Sequence, residues 1–370
     1  MIRGKAMNVV IISCFDICEE RVRLLHRFFK QKNDKVSILT SNFRHFQKVV
    51  REEAPEDFIL LETSPYRRNL SLKRGFSHQG FARAAVKEAD RLEPDFIYAL
   101  VPPNSLVKEL AEYKKKHPQV KLVFDLMDLW PETMPISILK KNPIFHIWGK
   151  LRNDNLNAAD YVITECHLFY QRLEDILKNK LSKTIYLAHE NRKVLIEDNT
   201  PKDAVALCYL GSINHVVDIR AIGRLIRQIS KDKPVKLHII GGGEKKDKLI
   251  KTAQKNGAFV CYYGKVYDPG EKQKILNQCH YGLNIMKPSV CVGLTMKSID
   301  YFQGGLPIIN NISGDTWELV QTEGIGINYR TGEKLLLPET DKKYIYEFYL
   351  KHFSEEVFYA KLQEVYECLV

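Results

Sequence analysis

The sequence predicts an α/β protein: two tandem, doubly wound Rossmann-like domains followed by a C-terminal helical tail. Three observations carry this. Apolar runs of strand length alternate with stretches whose apolar residues recur at helical spacing, the order that builds a mainly parallel sheet. The alternation stops at a polar, breaker-bearing stretch, residues 197–203, and then starts afresh. At 370 residues the chain is also about twice the usual domain size, so two separate cores are expected.

In order, residues 8–13 read as a first buried strand. Residues 20–30 carry Val22, Leu24, Leu25, Phe28 and Phe29 at helical spacing. Strands follow at 36–40 and 58–61, a helix from about 79 to 92, a strand at 96–100, a helix at 106–116, and strands at 121–125, 161–164 and 184–188. This first domain is placed at 7–196. The second, at 204–340, opens with a strand at 207–210 that ends in Gly211, then a helix at 218–230. A strand at 236–240 runs into Gly241-Gly242-Gly243, a helix covers 245–255, and the strand at 259–263 ends in Gly264. A helix at 271–277 and a strand at 281–286 come next. Residues 292–307 then run from a glycine turn at Gly293 through a short helical pattern to Gly304-Gly305 and Pro307, with Ile308-Ile309 beyond. That order means a loop, a helix N-terminus, a C-cap and a buried strand. Residues 341–370 read as aromatic-rich amphipathic helices, expected to pack back towards the first domain.

Composition is that of an ordinary globular protein. No apolar run reaches the roughly 18 residues of a membrane helix, and the first apolar run is strand-length rather than a signal h-region, so a cytoplasmic protein is expected. The eight cysteines are scattered with no CxxC pair, which points away from a zinc site or a disulfide framework. The net charge is +11, of which about +7 falls before residue 191. Arg67, Arg68, Lys73 and Arg74, with Arg83, gather around Tyr66, Phe76 and Phe81. Such a segment can lie on an anionic membrane surface, hold an anionic acceptor, or form a solvated basic face. No nucleic-acid motif accompanies the charge, and nucleic acid is not an expected partner.

In open α/β sheets ligands bind outside the carboxyl ends of the strands, so two such domains expect a ligand in the cleft between those ends. The second domain places four glycine sites there, at Gly211, 241–243, Gly264 and Gly293, although none completes a G-x-G-x-x-G or a P-loop. A helix that opens after glycine presents free N–H groups and the positive end of its dipole, where phosphates bind. Lys297 and Asp300, three apart on that helix, suit a phosphate and a sugar hydroxyl. A nucleotide-sugar has both.

These segments resemble the nucleotide-sugar-binding half of GT-B glycosyltransferases, in particular the GT4-like group that builds bacterial surface polysaccharides, capsule included. Cys208-Tyr209-Leu210-Gly211-Ser212-Ile213 is similar to that group's strand-and-glycine entry, Ile239-Ile240-Gly241-Gly242-Gly243-Glu244 to its vGxG element, and Tyr263-Gly264-Lys265-Val266 to its xGxv element. Residues 292–307 resemble its E-x7-E segment followed by GLP. Asp125-Leu126-Met127-Asp128-Leu129-Trp130-Pro131-Glu132 is similar to a D-x-W-P-E segment of polysaccharide-assembling members. The resemblance spans about residues 8–335, closer in the second half. It implies two Rossmann-like domains facing across a cleft and a donor site of Gly211, Ser212, Gly241, Gly242, Gly243, Lys265, Val266, Gly293, Leu294, Thr295, Met296, Lys297 and Asp300. Two departures stand out. Val292 replaces the first glutamate, and Ser212-Ile213-Asn214-His215 stands where an Arg and a Lys usually neutralise the diphosphate, leaving Lys297 as the main cation, with His215 assisting if protonated.

The implied activity is that of a hexosyltransferase-like enzyme of the EC 2.4 class. It would move a sugar from a UDP- or GDP-sugar to a saccharide or lipid-linked acceptor, with retention, without a metal or a further cofactor, and with peripheral contact at the inner membrane face. Lys297 would stabilise the leaving diphosphate. Asp128 is the candidate base of an inverting variant, and equally a turn or N-cap aspartate. Glu190 and Asn191 are read as cleft or hinge residues. Trp130 and Trp148 suit sugar stacking or a core. The alternative from another class is an inactive GT-B relative that stabilises a partner transferase.

Overall fold

The computed structural model describes residues 6–45, 47–134, 143–192 and 194–370. The chain divides into two compact units, Met1–Glu190 with Phe358–Val370, and Asn191–Val357.

In the first unit the chain runs β1 (Asn8–Ser13), α1 (Glu19–Gln31), β2 (Lys35–Ser41), the hairpin β3 (Phe43–Arg44) and β4 (Val49–Val50), β5 (Phe58–Leu61), α2 (Leu72–Leu92), β6 (Phe96–Val101), α3 (Asn104–Lys116), β7 (Lys121–Leu126), α4 (Pro143–Asn153), β8 (Tyr161–Thr164), α5 (His167–Arg172), α6 (Glu174–Leu177) and β9 (Ser182–Thr184). Among the described residues the main sheet is ordered β5-β2-β1-β6-β7-β8-β9, and every pairing is parallel. Parallel strands are covered on both faces, which is why β1 and β6 read as unbroken apolar runs: Val9 to Ile12 and Phe96 to Val101 are all buried. α1 lays Val22, Leu25, Phe28 and Phe29 on this sheet.

Two expectations about this unit need correction. The helix expected from about 79 begins at Leu72, because the Ser71 side chain caps it by accepting from the Arg74 N–H; Gly75 and Gly80 in its first half hide that start in the sequence. The strand expected at 184–188 ends at Thr184. Ile185 and Ala188 are buried but lie outside it, since burial alone does not make a ladder.

The second unit holds β10 (Val205–Ser212), α7 (Ile219–Ile229), β11 (Val235–Gly242), α8 (Lys246–Lys255), β12 (Ala258–Gly264), α9 (Pro269–Asn277), β13 (Tyr281–Asn284), α10 (Met296–Gln303), β14 (Ile308–Asn310), α11 (Asp315–Glu323), β15 (Gly326–Asn328) and α12 (Lys342–Phe353). The parallel sheet runs β12-β11-β10-β13-β14-β15. The order reverses between β10 and β13, which is where a doubly wound sheet opens a crevice. α7 contributes Ile219, Ile222, Leu225, Ile226 and Ile229 to the core, and its first turn is closed by the Asp218 side chain accepting from the Ala221 N–H at 2.9 Å.

The last helix, α13 (Glu355–Glu367), sends Phe358, Leu362 and Val365 into the core of the first unit, together with Leu369. Phe358 lies against the buried Arg21, whose guanidinium grips Asp125 at 2.6 and 3.0 Å while Tyr98 donates to the same carboxylate at 2.8 Å. α12 is held within the second unit by Lys342. Its ammonium donates to the carbonyls of Leu276, Asn277 and Cys279 at 3.0, 3.1 and 2.7 Å, at the C-terminal end of α9 where a cation meets the negative pole of the helix.

Candidate functional site

The carboxyl edge of the second sheet carries most of the expected donor residues, and the structure separates them by task. Gly241 and Gly243 serve the backbone. A Cβ on Gly241 would fall 2.1 Å from the Gly211 carbonyl oxygen, and one on Gly243 2.5 Å from that of Ile213. These glycines let the ends of β10 and β11 lie against each other. Gly264 differs: its φ is +69° and a Cβ there would meet nothing within 4 Å, as at Gly211. Those two open to solvent, where a ligand can approach main chain. Ser212 and Lys265 are exposed beside them, and Val266 is half-buried.

α10 is fixed by the crevice between β10 and β13. The two strands pair only at Leu207 and Cys208, and beyond that they part. Tyr301 fills the gap: its ring lies on Gly282, and its hydroxyl accepts from the Leu210 N–H at 2.7 Å and donates to the Cys208 carbonyl at 3.0 Å. Lys297 is one turn earlier on the same helix face. The residue is half-buried, and its ammonium lies 4.7 Å from the centre of the Tyr209 ring, with no carboxylate partner among the described residues. Burial pulls its pKa down to about 8.

The helix opening is built from side chains. Thr295 caps α10, accepting from the Ser298 N–H at 3.2 Å, and donates to Asn284 at 3.0 Å. Asn284 donates to Asn310 at 3.0 Å, and Asn310 to Asn328 at 2.9 Å. These are registered partners at the ends of β13, β14 and β15, so a ladder of amides carries the position of the cap across half the sheet. The preceding turn is tied as well: Thr316 donates to the Gly293 carbonyl through its N–H at 2.8 Å and its hydroxyl at 2.6 Å. Leu294 is buried; Met296 and Val292 are half-buried. Asp300 does not face the helix opening alone, for Lys272 of α9 holds it at 2.9 Å.

Beside this edge lies a cavity of about 410 Å³. The loop after β10 supplies Asn214 and His215, the first turn of α7 supplies Arg220, the segment after β11 supplies Lys245 and Lys248, and the loop after β13 supplies Lys287. The N-terminus of α7 with Asp218 completes the wall. This basic wall is not evident from sequence reasoning beyond His215, because its lysines come from two distant segments, after β11 and after β13, whose meeting depends on strand order. The amide ladder did leave a signal: three strands of one sheet end in asparagine.

In the first unit the four basic candidates separate. Arg67, Arg68 and Lys73 are exposed, beside the exposed Leu70, Leu72 and Phe76, whereas Arg74 is buried. Asp128 accepts from the Leu129 N–H at 2.8 Å and from the Thr133 hydroxyl, the bonds of a turn aspartate, and burial raises its pKa above the usual carboxylate range. Trp130 packs between Phe15, His78 and Trp148. Glu190 pairs with Arg27 at 2.7 Å, and Asn191 hydrogen-bonds to Glu355 and Glu356.

No family model and no curated protein matches the chain. Solved structures do. Sucrose-phosphate synthase of Thermosynechococcus elongatus is similar over 98% of both chains, at 14% identity and a TM-score of 0.69. The lipopolysaccharide outer core galactosyltransferase WaaB, in its apo form, matches 98% of this chain and 100% of its own, at 13% identity and a TM-score of 0.70. The fold is GT-B. HepE of Anabaena, solved with UDP and glucose, is similar over 98% of this chain and 100% of its own, at 14% identity and a TM-score of 0.64. At these identities the likeness is one of fold.

The division of labour among the glycines is testable by urea unfolding. Gly241→Ala drives a methyl group into a carbonyl and should cost roughly 3 kcal/mol or more. Gly264→Ala carries only left-handed strain and should cost about 1 kcal/mol. Equal losses would contradict the assignment.

Proposed function

We propose that this chain is a glycosyltransferase that takes a sugar from a nucleotide-diphosphate sugar and passes it to a saccharide or lipid-linked acceptor. The observation that carries the reading is Lys297. It is a cation drawn partly out of water without an ionic partner among the described residues, in the first turn of a side-chain-capped helix at the crevice where the sheet order reverses. Breaking the sugar–phosphate bond leaves a nucleoside diphosphate with added negative charge. Lys297, the free N–H groups of α10 and the basic wall of His215, Arg220, Lys245 and Lys287 are positioned to stabilise that charge. With these cations the leaving group is neutralised by side chains, and the reading includes retention and independence of a metal. Asp300, already paired with Lys272, is assigned to the ribose, and the open main chain at Gly264 and Lys265 to the base. Asp128 keeps its turn bonds and is not required by a retaining reaction.

No helix among the described residues is long and apolar enough to cross a membrane. Leu72 and Phe76 are nonetheless 76% and 75% exposed at the start of α2, with Arg67, Arg68 and Lys73 around them. Apolar side chains within a basic rim suit the surface of an anionic bilayer, and we assign this face to peripheral binding there. In vesicle sedimentation the protein should pellet with phosphatidylglycerol-containing vesicles and much less with phosphatidylcholine alone. Leu72→Ser/Phe76→Ser should remove the difference; equal pelleting of wild type and variant would refute the assignment.

The donor reading is tested by titrating UDP and GDP, and their sugars, calorimetrically at pH 8.5 in two buffers of different ionisation enthalpy. The free site holds Lys297 near pH 8, partly deprotonated at that pH, and a bound diphosphate restores the charge. Binding should therefore take up a fraction of a proton and weaken as pH rises above 8. Lys297→Ala should abolish the uptake and weaken binding roughly tenfold to a hundredfold, the range for a lost hydrogen bond to a charged group. Unchanged binding and no proton uptake in the wild type would remove Lys297 from the donor site.

A further inference from the structure

Among the described residues of the first unit three arginines are buried, and two of them are neutralised in an obvious way. Arg21 grips Asp125 and Arg152 grips Glu132, each at 2.6 Å. Arg74, only 5% exposed, has no carboxylate partner among the described residues. Its Nη1 donates to the Asn69 carbonyl at 2.7 Å, and its Nε reaches His78 Nε2 at 3.4 Å. Its Nη2 is buried and has no hydrogen-bond partner among the described residues. A guanidinium removed from water with a donor unmet is costly unless something negative meets it.

Among the described residues no carboxylate pairs with it. The guanidinium lies 4.2 Å from the centre of the Trp130 ring, within a cage of Phe15, His45, Tyr66 and His78. Burial, reinforced by the Arg74 charge, keeps both imidazoles neutral, and burial keeps the Tyr66 phenol protonated. Lys48 adds a second positive charge 4.5 Å from the Tyr66 ring. Asp16 and Asp128 are committed elsewhere, the first to the His45 N–H and the second to the turn after β7. The cage also has a definite place in the fold. Phe15 follows β1, His45 follows β3, Arg74 stands in the first turn of α2 after β5, and Trp130 follows β7. All lie at the carboxyl edge of the first sheet, around the reversal between β1 and β6, where ligands of doubly wound sheets bind.

We propose that Arg74 receives an oxyanion carried by the acceptor, so that the acceptor is an acidic saccharide or a glycosyl phosphate rather than a neutral sugar. Guanidinium is suited to this because its planar donors match carboxylate and phosphate in pairs. The aromatic cage offers ring faces for the sugar that bears the anion. The inference rests on the transferase reading for the word acceptor; the anion site itself does not.

The test reads Arg74 directly, in full-length protein without donor. The Nε–H resonance of Arg74, assigned by its loss in Arg74→Lys, is followed while glucose 1-phosphate, glucuronate or glucose is added to millimolar concentration. A saturable shift with glucose 1-phosphate alone identifies a phosphate-bearing acceptor, one with glucuronate alone an acidic sugar, and glucose should leave the signal in place. Affinity for the effective probe should fall at least about tenfold in Arg74→Lys, which keeps the charge but loses the fork. No shift with either anion, or an equal shift with glucose, overturns the proposal. Arg74→Met supplies a second reading that a merely structural arginine would fail. Removing an unpaired buried charge should leave the unliganded melting temperature unchanged or higher, and a lower one would count against the site. UDP titration keeps the two ideas apart. If Arg74 responds while UDP does not bind, the anion site stands and the transferase reading falls; if UDP binds while Arg74 stays silent, only the anion site is lost.

Discussion

A cation taken out of water must meet a negative charge or a set of dipoles, at a penalty on the order of several kcal/mol if it does not. Much of this structure is arranged around that constraint. Arg21 meets Asp125 and thereby joins α1, β7 and, through Phe358, the last helix. Arg152 meets Glu132 and the Trp130 carbonyl. Lys342 meets three carbonyls at the end of α9 and fixes α12. Against these satisfied cases Lys297 and Arg74 stand apart. One lies on each sheet's carboxyl edge, both are held by packing against aromatic rings, and neither has a carboxylate partner among the described residues. Packing that holds a cation without neutralising it keeps the cation available for a ligand.

The same edges explain why the supporting structure is so heavily hydrogen-bonded. A helix N-terminus stabilises an anion only as well as its position is fixed. In the second unit that position is set by Tyr301 in the crevice, by the Thr295 cap and by the amides of Asn284, Asn310 and Asn328 behind it. These residues touch no donor in the proposed scheme. They keep the residues that do within a fixed geometry.

Much of the fold was legible from periodicity, because parallel strands buried on both faces leave short apolar runs that helices separate. The 296–303 helix was legible from its glycines, and Lys297 from its place in the first turn. What stayed hidden depended on the third dimension. Arg67, Arg68, Lys73 and Arg74 look alike in sequence, yet the helix periodicity of α2 turns the last of them inward. Gly211, Gly241 and Gly264 look alike as strand-end glycines, but only strand pairing shows that Gly241 is occupied by a neighbouring backbone. Lys245 and Lys248, at the start of α8, are separated from Lys287 by two strands and a further helix, and only the order β11-β10-β13 brings the two segments to one cavity.

The central claim is that α10 and Lys297 hold the diphosphate of a nucleotide-sugar. A crystal structure of the protein with UDP tests it most directly. The account predicts the β-phosphate at the N-terminus of α10, with one of its oxygens about 3 Å from Lys297 Nζ. A nucleotide bound elsewhere, or bound with its phosphates turned from α10 while Lys297 stays on the Tyr209 ring, would contradict it.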